Sequence, residues 1–359
     1  MVELRHPLAP FLIRTLHSGE RMTRIERLQK TGFRRLGSPR KGFRYVTASG
    51  RPVGGHDLER IRALVLPPAW KDVAISASPT SALQAVGRDK AGRWQYRYSG
   101  AHVRRREQEK FRRLLHFLDA LPKMRAAVKR DLALPGLPRE KVLACMLRIL
   151  SMSFLRPGSQ VYASENGSYG IATLRNRHVT MKGGDLVHYD FPGKSGKVQH
   201  AETRDRAVAS IMRKLKKEPG PEVFKYRDTD GRVADVKRRH VNQYIKEVMG
   251  ERFTAKDFRT WAGTLLCANM LARAGSDPSD SSAARKRKVV AAVRETAEVL
   301  GNTPSVCRAS YIDSSVLDSF DRGKTIERHF ETVEQLVTSR GRLRASEKAL
   351  RRLLRQRAA

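Results

Sequence analysis

Apolar positions along this chain fall into two regimes. From residue 42 to 98 they come in short runs of strand character, at 43–46, 73–75, 83–86 and 93–98, separated by turn signals at Ser49-Gly50 and Lys90-Ala91-Gly92. One helix interrupts these runs, with Asp57 as its cap, Leu58, Ile61 and Leu64 on its apolar face and Pro67-Pro68 as its stop. From Arg104 onward helical spacing dominates and predicts helices near 105–119, 122–132, 138–154, 203–217, 235–249, 255–274, 284–300, 304–319 and 327–357. A strand-rich insert breaks that series, with strands expected at 170–174, 179–182, 186–191 and 197–201. The pattern is α+β. It predicts a basic, partly ordered arm over 1–40, a small antiparallel β-rich domain over 41–102, and a mainly α-helical domain over 103–359 carrying a β-meander insert. A hinge is expected at 99–106.

Composition sharpens this picture. The chain has 359 residues, 72 Lys+Arg against 36 Asp+Glu, and therefore a formal net charge of +36. Self-repulsion on that scale is offset by a polyanion, so nucleic acid is the first partner to consider and an anionic membrane surface the second. The longest apolar stretch, 142–155, is interrupted by Arg148 and falls short of a bilayer span. Hydrophobic residues still make up 40 %, enough for buried cores, which sets the chain apart from a disordered basic tail. Cys145, Cys267 and Cys307 are far apart in helix-like sequence and read as reduced core residues of an intracellular protein. The C-terminal stretch from Thr338 carries many basic residues, and Leu343, Leu350, Leu353 and Leu354 form one stripe, as in a solvated basic helix with an ordinary apolar face.

Several familiar signatures fail. Asp228-Thr229-Asp230-Gly231 opens like a calcium loop, but its glycine comes too early and no closing glutamate follows at the required distance. It reads as a turn. Gly193-Lys194-Ser195 resembles the end of a phosphate-binding loop, yet His188 stands where the first glycine belongs and strands flank it.

Two helix starts carry chemistry instead. Thr254-Ala255-Lys256-Asp257 has the form of a capping box, which begins a helix at Ala255 and puts Lys256 and Arg259 in its first turns. Cations there oppose the helix dipole, which an intervening phosphate would reverse. Two solvent-facing cations are the ordinary alternative. A second helix ends at Leu300-Gly301, and the next begins with Thr303 as N-cap and Pro304 at its first position. Asn302 then sits in a corner between helices and Tyr311 two turns into the second one. Taken singly, such a tyrosine is ordinary amphipathic core.

The words around these residues resemble the type IB DNA topoisomerases, particularly their compact poxvirus-like and bacterial branch. In the N-terminal part the resemblance rests on Leu66-Pro67-Pro68-Ala69-Trp70-Lys71-Asp72-Val73 and on Gln84-Ala85-x-Gly87-x-Asp89-x-x-Gly92-Arg93-x-Gln95-Tyr96-x-Tyr98. In the C-terminal part it rests on Phe154-Leu155-Arg156-Pro157-Gly158, Phe191-Pro192-Gly193-Lys194, Lys256-Asp257-Phe258-Arg259-Thr260-Trp261 and Gly301-Asn302-Thr303-Pro304 through Ser310-Tyr311-Ile312. It covers the chain from about Gly42 to Asp321.

The resemblance implies a C-shaped clamp on duplex DNA that nicks and reseals one strand. Tyr311 is then the nucleophile and forms a 3′-phosphotyrosyl link, while Arg156 and Arg259 hold non-bridging oxygens. Lys194 matches the family's general acid to the 5′-oxygen. Asn302 stands where viral and eukaryotic relatives carry histidine, so it reads as a neutral hydrogen-bond donor. Ser159 and Asp313-Ser314 also depart from the family pattern but leave these five residues intact. DNA contacts are expected from Lys256 and from Arg93, Gln95, Tyr96 and Tyr98, although half-buried sheet aromatics are an equally ordinary reading of the two tyrosines. The implied enzyme is a bacterial monomer, cytoplasmic and nucleoid-associated. It needs neither ATP nor a metal, divalent cations being at most stimulatory, and no membrane. A tyrosine recombinase is the nearest alternative, disfavoured by Lys256-x-x-Arg259 where recombinases commonly carry His-x-x-Arg. A non-catalytic DNA-coating protein is the more distant one, and it leaves the setting of Tyr311 unexplained.

Overall fold

The computed structural model describes residues 22–358 apart from 328–329, 331 and 333–339. The described residues form two compact units divided between Glu107 and Gln108. In the first, helix α1 (Arg24–Thr31) opens on a reciprocal cap in which the Glu26 amide donates to Thr23 Oγ1 and the Thr23 amide to the Glu26 carboxylate. Strands β1 (Phe33–Ser38) and β2 (Gly42–Val46), helix α2 (Gly55–Ala63), and strands β3 (Lys71–Ile75), β4 (Leu83–Arg88) and β5 (Trp94–Tyr98) follow. The sheet is antiparallel in the order β2-β1-β3-β4-β5, which leaves β5 at an edge.

Residues 24–38 thus correct the sequence reading, which placed them in a basic arm. They form a capped helix and an internal strand, and only residues 1–21 of that arm lie outside the described residues. Phe33, Ile61, Val73, Ile75 and Ala85 make the small core. Asp57 is not the helix cap, since Gly54 holds that position. Asp57 pairs instead with Arg60, whose guanidinium also reaches Gln84 Oε1 and the Ser76 carbonyl and so ties α2 to the sheet.

Helix α3 (Gly100–Leu132) runs unbroken through the expected hinge at 99–106 and through Pro122, where two helices were expected. The apolar stripe of Leu114, Phe117, Leu118, Leu121, Met124 and Val128 continues across the proline, and its burial outweighs the one lost backbone bond. Beyond lie α4 (Arg139–Ser153) and α5 (Gln160–Asn166), then the three-stranded antiparallel meander of β6 (Val179–Lys182), β7 (Leu186–Pro192) and β8 (Val198–Arg204). The first expected insert strand, 170–174, is a single 3-10 turn over Ile171–Thr173. Its amides are already committed, Ile171 to the Arg156 carbonyl and Ala172 to that of Pro157, so no ladder forms.

Helix α6 (Arg206–Leu215) precedes a hairpin of β9 (Lys225–Arg227) and β10 (Val233–Asp235), whose turn is the Asp228–Gly231 stretch. Helix α7 (Arg238–Met249) then leads to α8 (Ala255–Ala274), which is apolar on nearly every side and buried along most of its length. Phe117, Phe154 and Phe258 pack around its Trp261. Helix α9 (Ser282–Val299) lies against α8, and the helix expected at 304–319 is two, α10 (Pro304–Ser310) and α11 (Ser314–Asp321), with Tyr311 at the break. Helix α12 (Arg340–Ala358) buries Leu343, Leu350, Leu353 and Leu354, as its stripe predicts. Residues 328–329, 331 and 333–339 of the expected 327–357 helix lie outside the described residues. All three cysteines are free and buried. Among the described residues no helix is long and apolar enough to cross a membrane.

Candidate active site

Four segments of the second unit meet at one site. The first follows α4, where Phe154 turns left-handed (φ 55°) and ends the helix, so that Arg156 projects from extended chain two residues later. Arg156 donates to the Gly301 carbonyl at 2.8 Å and to Asn302 Oδ1 at 2.5 Å, and its other terminal nitrogen lies 3.4 Å from Gln199 Oε1. The second segment is α8. Its start is fixed by Asp257, whose carboxylate accepts from the Thr254 amide and hydroxyl and from the fork of Arg113 on α3. Arg259, one turn in, is 3 % exposed and donates to the carbonyls of Phe154 at 2.7 Å and Leu300 at 2.8 Å.

The third segment is the corner between α9 and α10. Gly301 adopts a positive φ of 59°, which lets the chain reverse, and Thr303 caps α10 through the Val306 amide. The fourth is Tyr311 at the end of α10. Its ring faces the Arg259 guanidinium, 4.8 Å from ring centroid to the central guanidinium carbon. Thr264 Oγ1 on α8 donates to the Thr260 carbonyl at 2.8 Å, lies 3.2 Å from the Tyr311 carbonyl and accepts from the Asp313 amide, and Lys110 on α3 donates to the Ile312 carbonyl. The backbone on either side of the tyrosine is pinned.

The electrostatics are dominated by two neighbouring guanidiniums. Burial, reinforced by the neighbouring charge of Arg259, lowers the Arg156 pKa to about 10. Burial lowers that of Arg259 too, against the opposing influence of Tyr311. Both guanidiniums stay charged at neutral pH. Each is directed at neutral carbonyl and amide oxygens, so their positive charge is solvated without being neutralised. Two buried donor atoms, Arg259 Nε and Asn302 Nδ2, have no hydrogen-bond acceptor among the described residues, while the Arg259 guanidinium interacts with the Tyr311 side chain. Unsatisfied buried donors beside two cations suit a ligand rich in acceptor oxygens, such as a phosphodiester.

Of the residues picked out from sequence, Arg156, Arg259, Asn302 and Tyr311 are therefore gathered in one place. Lys194 is not gathered with them. It is exposed, in a one-turn 3-10 helix (Lys194–Gly196) between β7 and β8. Lys256 and Arg259 are separated by burial, the lysine facing solvent and the arginine the site. In the first unit Tyr96 is 46 % exposed on the edge strand β5, with Tyr98 stacked beside it. Arg93 and Gln95 are both held by the Asp89 carboxylate. Sequence reasoning missed Gln199, Thr264 and Lys110, which reach the site through strand pairing and helix packing and carry no local signature.

Residues 99–337 match the family described as eukaryotic DNA topoisomerase I, catalytic core, and residues 42–89 match bacterial DNA topoisomerase IB, N-terminal domain. A DNA topoisomerase 1B of Acanthamoeba polyphaga mimivirus is 34 % identical over 294 residues, covering 80 % of this chain and 87 % of the viral protein. The DNA topoisomerase 1B of vaccinia virus (strain Copenhagen) is 27 % identical over 237 residues, 65 % of this chain and 71 % of that protein. The chain belongs to the type IB DNA topoisomerases, an isomerase family that acts on DNA, and its N-terminal domain is of the bacterial kind.

Proposed function

We propose that this enzyme relaxes supercoiled duplex DNA by cutting and rejoining one strand through Tyr311. The phenolic oxygen gives up its proton to solvent as it attacks the scissile phosphorus, a 3′-phosphotyrosyl bond forms, and the bond to the 5′-oxygen breaks. Arg156 and Arg259 stabilise the charge that grows on the non-bridging oxygens, and Asn302 Nδ2 donates to one of them. Lys194 swings in on its hairpin to protonate the leaving 5′-oxygen, and takes the proton back when that hydroxyl attacks the phosphotyrosine and reseals the strand. The phosphotyrosyl bond conserves the energy of the broken linkage, so ATP is not consumed. A metal is not required in this scheme, because the two arginines supply the charge. Lys256, Arg93, Gln95, Tyr96 and Tyr98 contact the duplex, and the protein works as a monomer on the bacterial nucleoid.

The observation that carries this reading is the convergence of Arg156, Arg259, Asn302 and Tyr311 from four separate segments, with unused donors between them. The test is plasmid relaxation without ATP and with a chelator, beside Tyr311→Phe. Relaxation by the wild type alone, with a covalent adduct on the 3′ side of a nicking substrate, is expected. Equal retardation of plasmid by both proteins, with no relaxation, would leave a DNA-coating protein as the better account.

A further inference from the structure

Gln199 lies at the base of the hairpin that carries Lys194, yet its side chain belongs to the arginine site. Its carboxamide sits against the Gly301 backbone so closely that a Cβ on Gly301 would come within 2.6 Å of Oε1 and 2.8 Å of Nε2. Its aliphatic part packs as closely on Gly193, where an added Cβ would meet Cγ at 2.4 Å. Both neighbours are glycines, so both backbones make room for this one side chain. Gly193 directly precedes Lys194 and closes the hairpin through the hydrogen bond its amide donates to the Lys197 carbonyl. Gly301 accepts from Arg156, which also points at Gln199 Oε1. The same side chain therefore touches the stem of the Lys194 hairpin and the corner that holds Arg156.

We propose that Gln199 is a positioning residue that sets the Lys194 hairpin in register with the Arg156–Asn302 corner. The two cations then engage the same phosphodiester, one on a non-bridging oxygen and one at the leaving oxygen. This proposal rests on the roles given above to Lys194 and Arg156. Gln199 itself touches no reacting atom. Its contribution is the placement of a proton donor, where an error of about 1 Å costs on the order of 100-fold in rate.

The test compares wild type, Gln199→Ala, Lys194→Ala and the double variant in single-turnover cleavage of a duplex with an ordinary scissile phosphodiester and of one with sulfur in place of the 5′-bridging oxygen. A thiolate leaves without a proton. Gln199→Ala is expected to cleave the ordinary duplex about 10- to 100-fold more slowly than wild type and the sulfur duplex at the wild-type rate. The double variant is expected to be no slower than Lys194→Ala alone. Hydrogen exchange at the Gly193 amide of free Gln199→Ala, with thermal unfolding unchanged, is expected to quicken.

Wild-type rates for Gln199→Ala on the ordinary duplex would overturn the proposal. So would an equal defect on both duplexes, or additive defects in the double variant, since either assigns Gln199 to Arg156 alone. A Lys194→Ala variant that is slow but not relieved by sulfur would instead overturn the proton-donor role of Lys194. Non-additivity and hydrogen exchange still decide the case of Gln199 in that event.

Discussion

Two guanidiniums share the site, Arg259 buried and Arg156 half-buried. Arg259 is held by two carbonyls at fixed separation, a geometry that a fork satisfies and an ammonium does not, so lysine is a poor substitute there. The closest constraint on the nucleophile is a residue without a side chain. A Cβ on Gly263 would stand 2.9 Å from both the Cβ and the carbonyl oxygen of Tyr311, atoms that cannot swing away. In an ordinary helix interior Gly→Ala stabilises by up to about 1 kcal/mol. Gly263→Ala is expected to do the reverse, costing about 1–3 kcal/mol through overpacking. It should also slow formation of the covalent adduct about 100-fold by displacing Tyr311. Urea unfolding and single-turnover cleavage check the two effects separately, and a stabilised, fully active variant would show that α8 does not set the position of the tyrosine.

At the scale of elements, the 3-10 turns around 171–178 support both the arginine loop and the meander. His178 is buried there, its ring edge-on to Tyr169 at 4.5 Å and its Nδ1 accepting from the Arg175 amide. Burial, with Arg177 and Arg175 adding to it, lowers its pKa, and burial shifts His240 the same way. The unfolded chain therefore binds more protons than the folded one once the pH falls below about 6.5. Stability present above that pH is lost as the pH falls through the depressed folded value, by at most about 1.4 kcal/mol per pH unit for each group. Urea midpoints between pH 7.5 and 5.5 should fall for wild type and fall less steeply for His178→Gln, and identical slopes would remove His178 from the account.

The same elements show what was legible in the chain. The helix at 255–274 and the corner at 301–304 could be read because a capping pattern, a glycine and a proline mark their ends locally. Strand β1 could not, since Phe33 and Leu36 are its only large apolar residues and it is defined by pairing with β2 and β3. The false strand at 170–174 has a suitable apolar run, but its amides serve the Arg156 loop. Arg156, Arg259, Asn302 and Tyr311 were found by motif, whereas Gln199 is brought in by the meander.

For the whole molecule the net charge of +36 exceeds what the fold uses. Many basic residues are spent internally even where the sequence is most basic. On α12, Arg351 and Arg355 pair with Asp119 and Arg352 with Glu327, while the buried Glu347 takes Arg125 from α3. That helix serves mainly as a lid on the α3 and α8 core, which agrees with its buried leucines. Under the proposed function the remaining cations meet DNA phosphates and release counterions, and their effect is collective. A protein making about 6–10 phosphate contacts loses on the order of 10³–10⁵ in affinity between 50 and 200 mM salt. At the lower concentration the enzyme should therefore relax one plasmid to completion before leaving it, so that gels show fully relaxed and untouched DNA together. At the higher concentration it should release between events, and the whole population should shift through partly relaxed topoisomers. A Tyr311→Phe protein whose binding to a duplex shows a log affinity against log salt slope steeper than about −5 would accord with that switch. A nearly flat slope would mean that the excess charge does not meet phosphates, and the change in product pattern should then be absent as well.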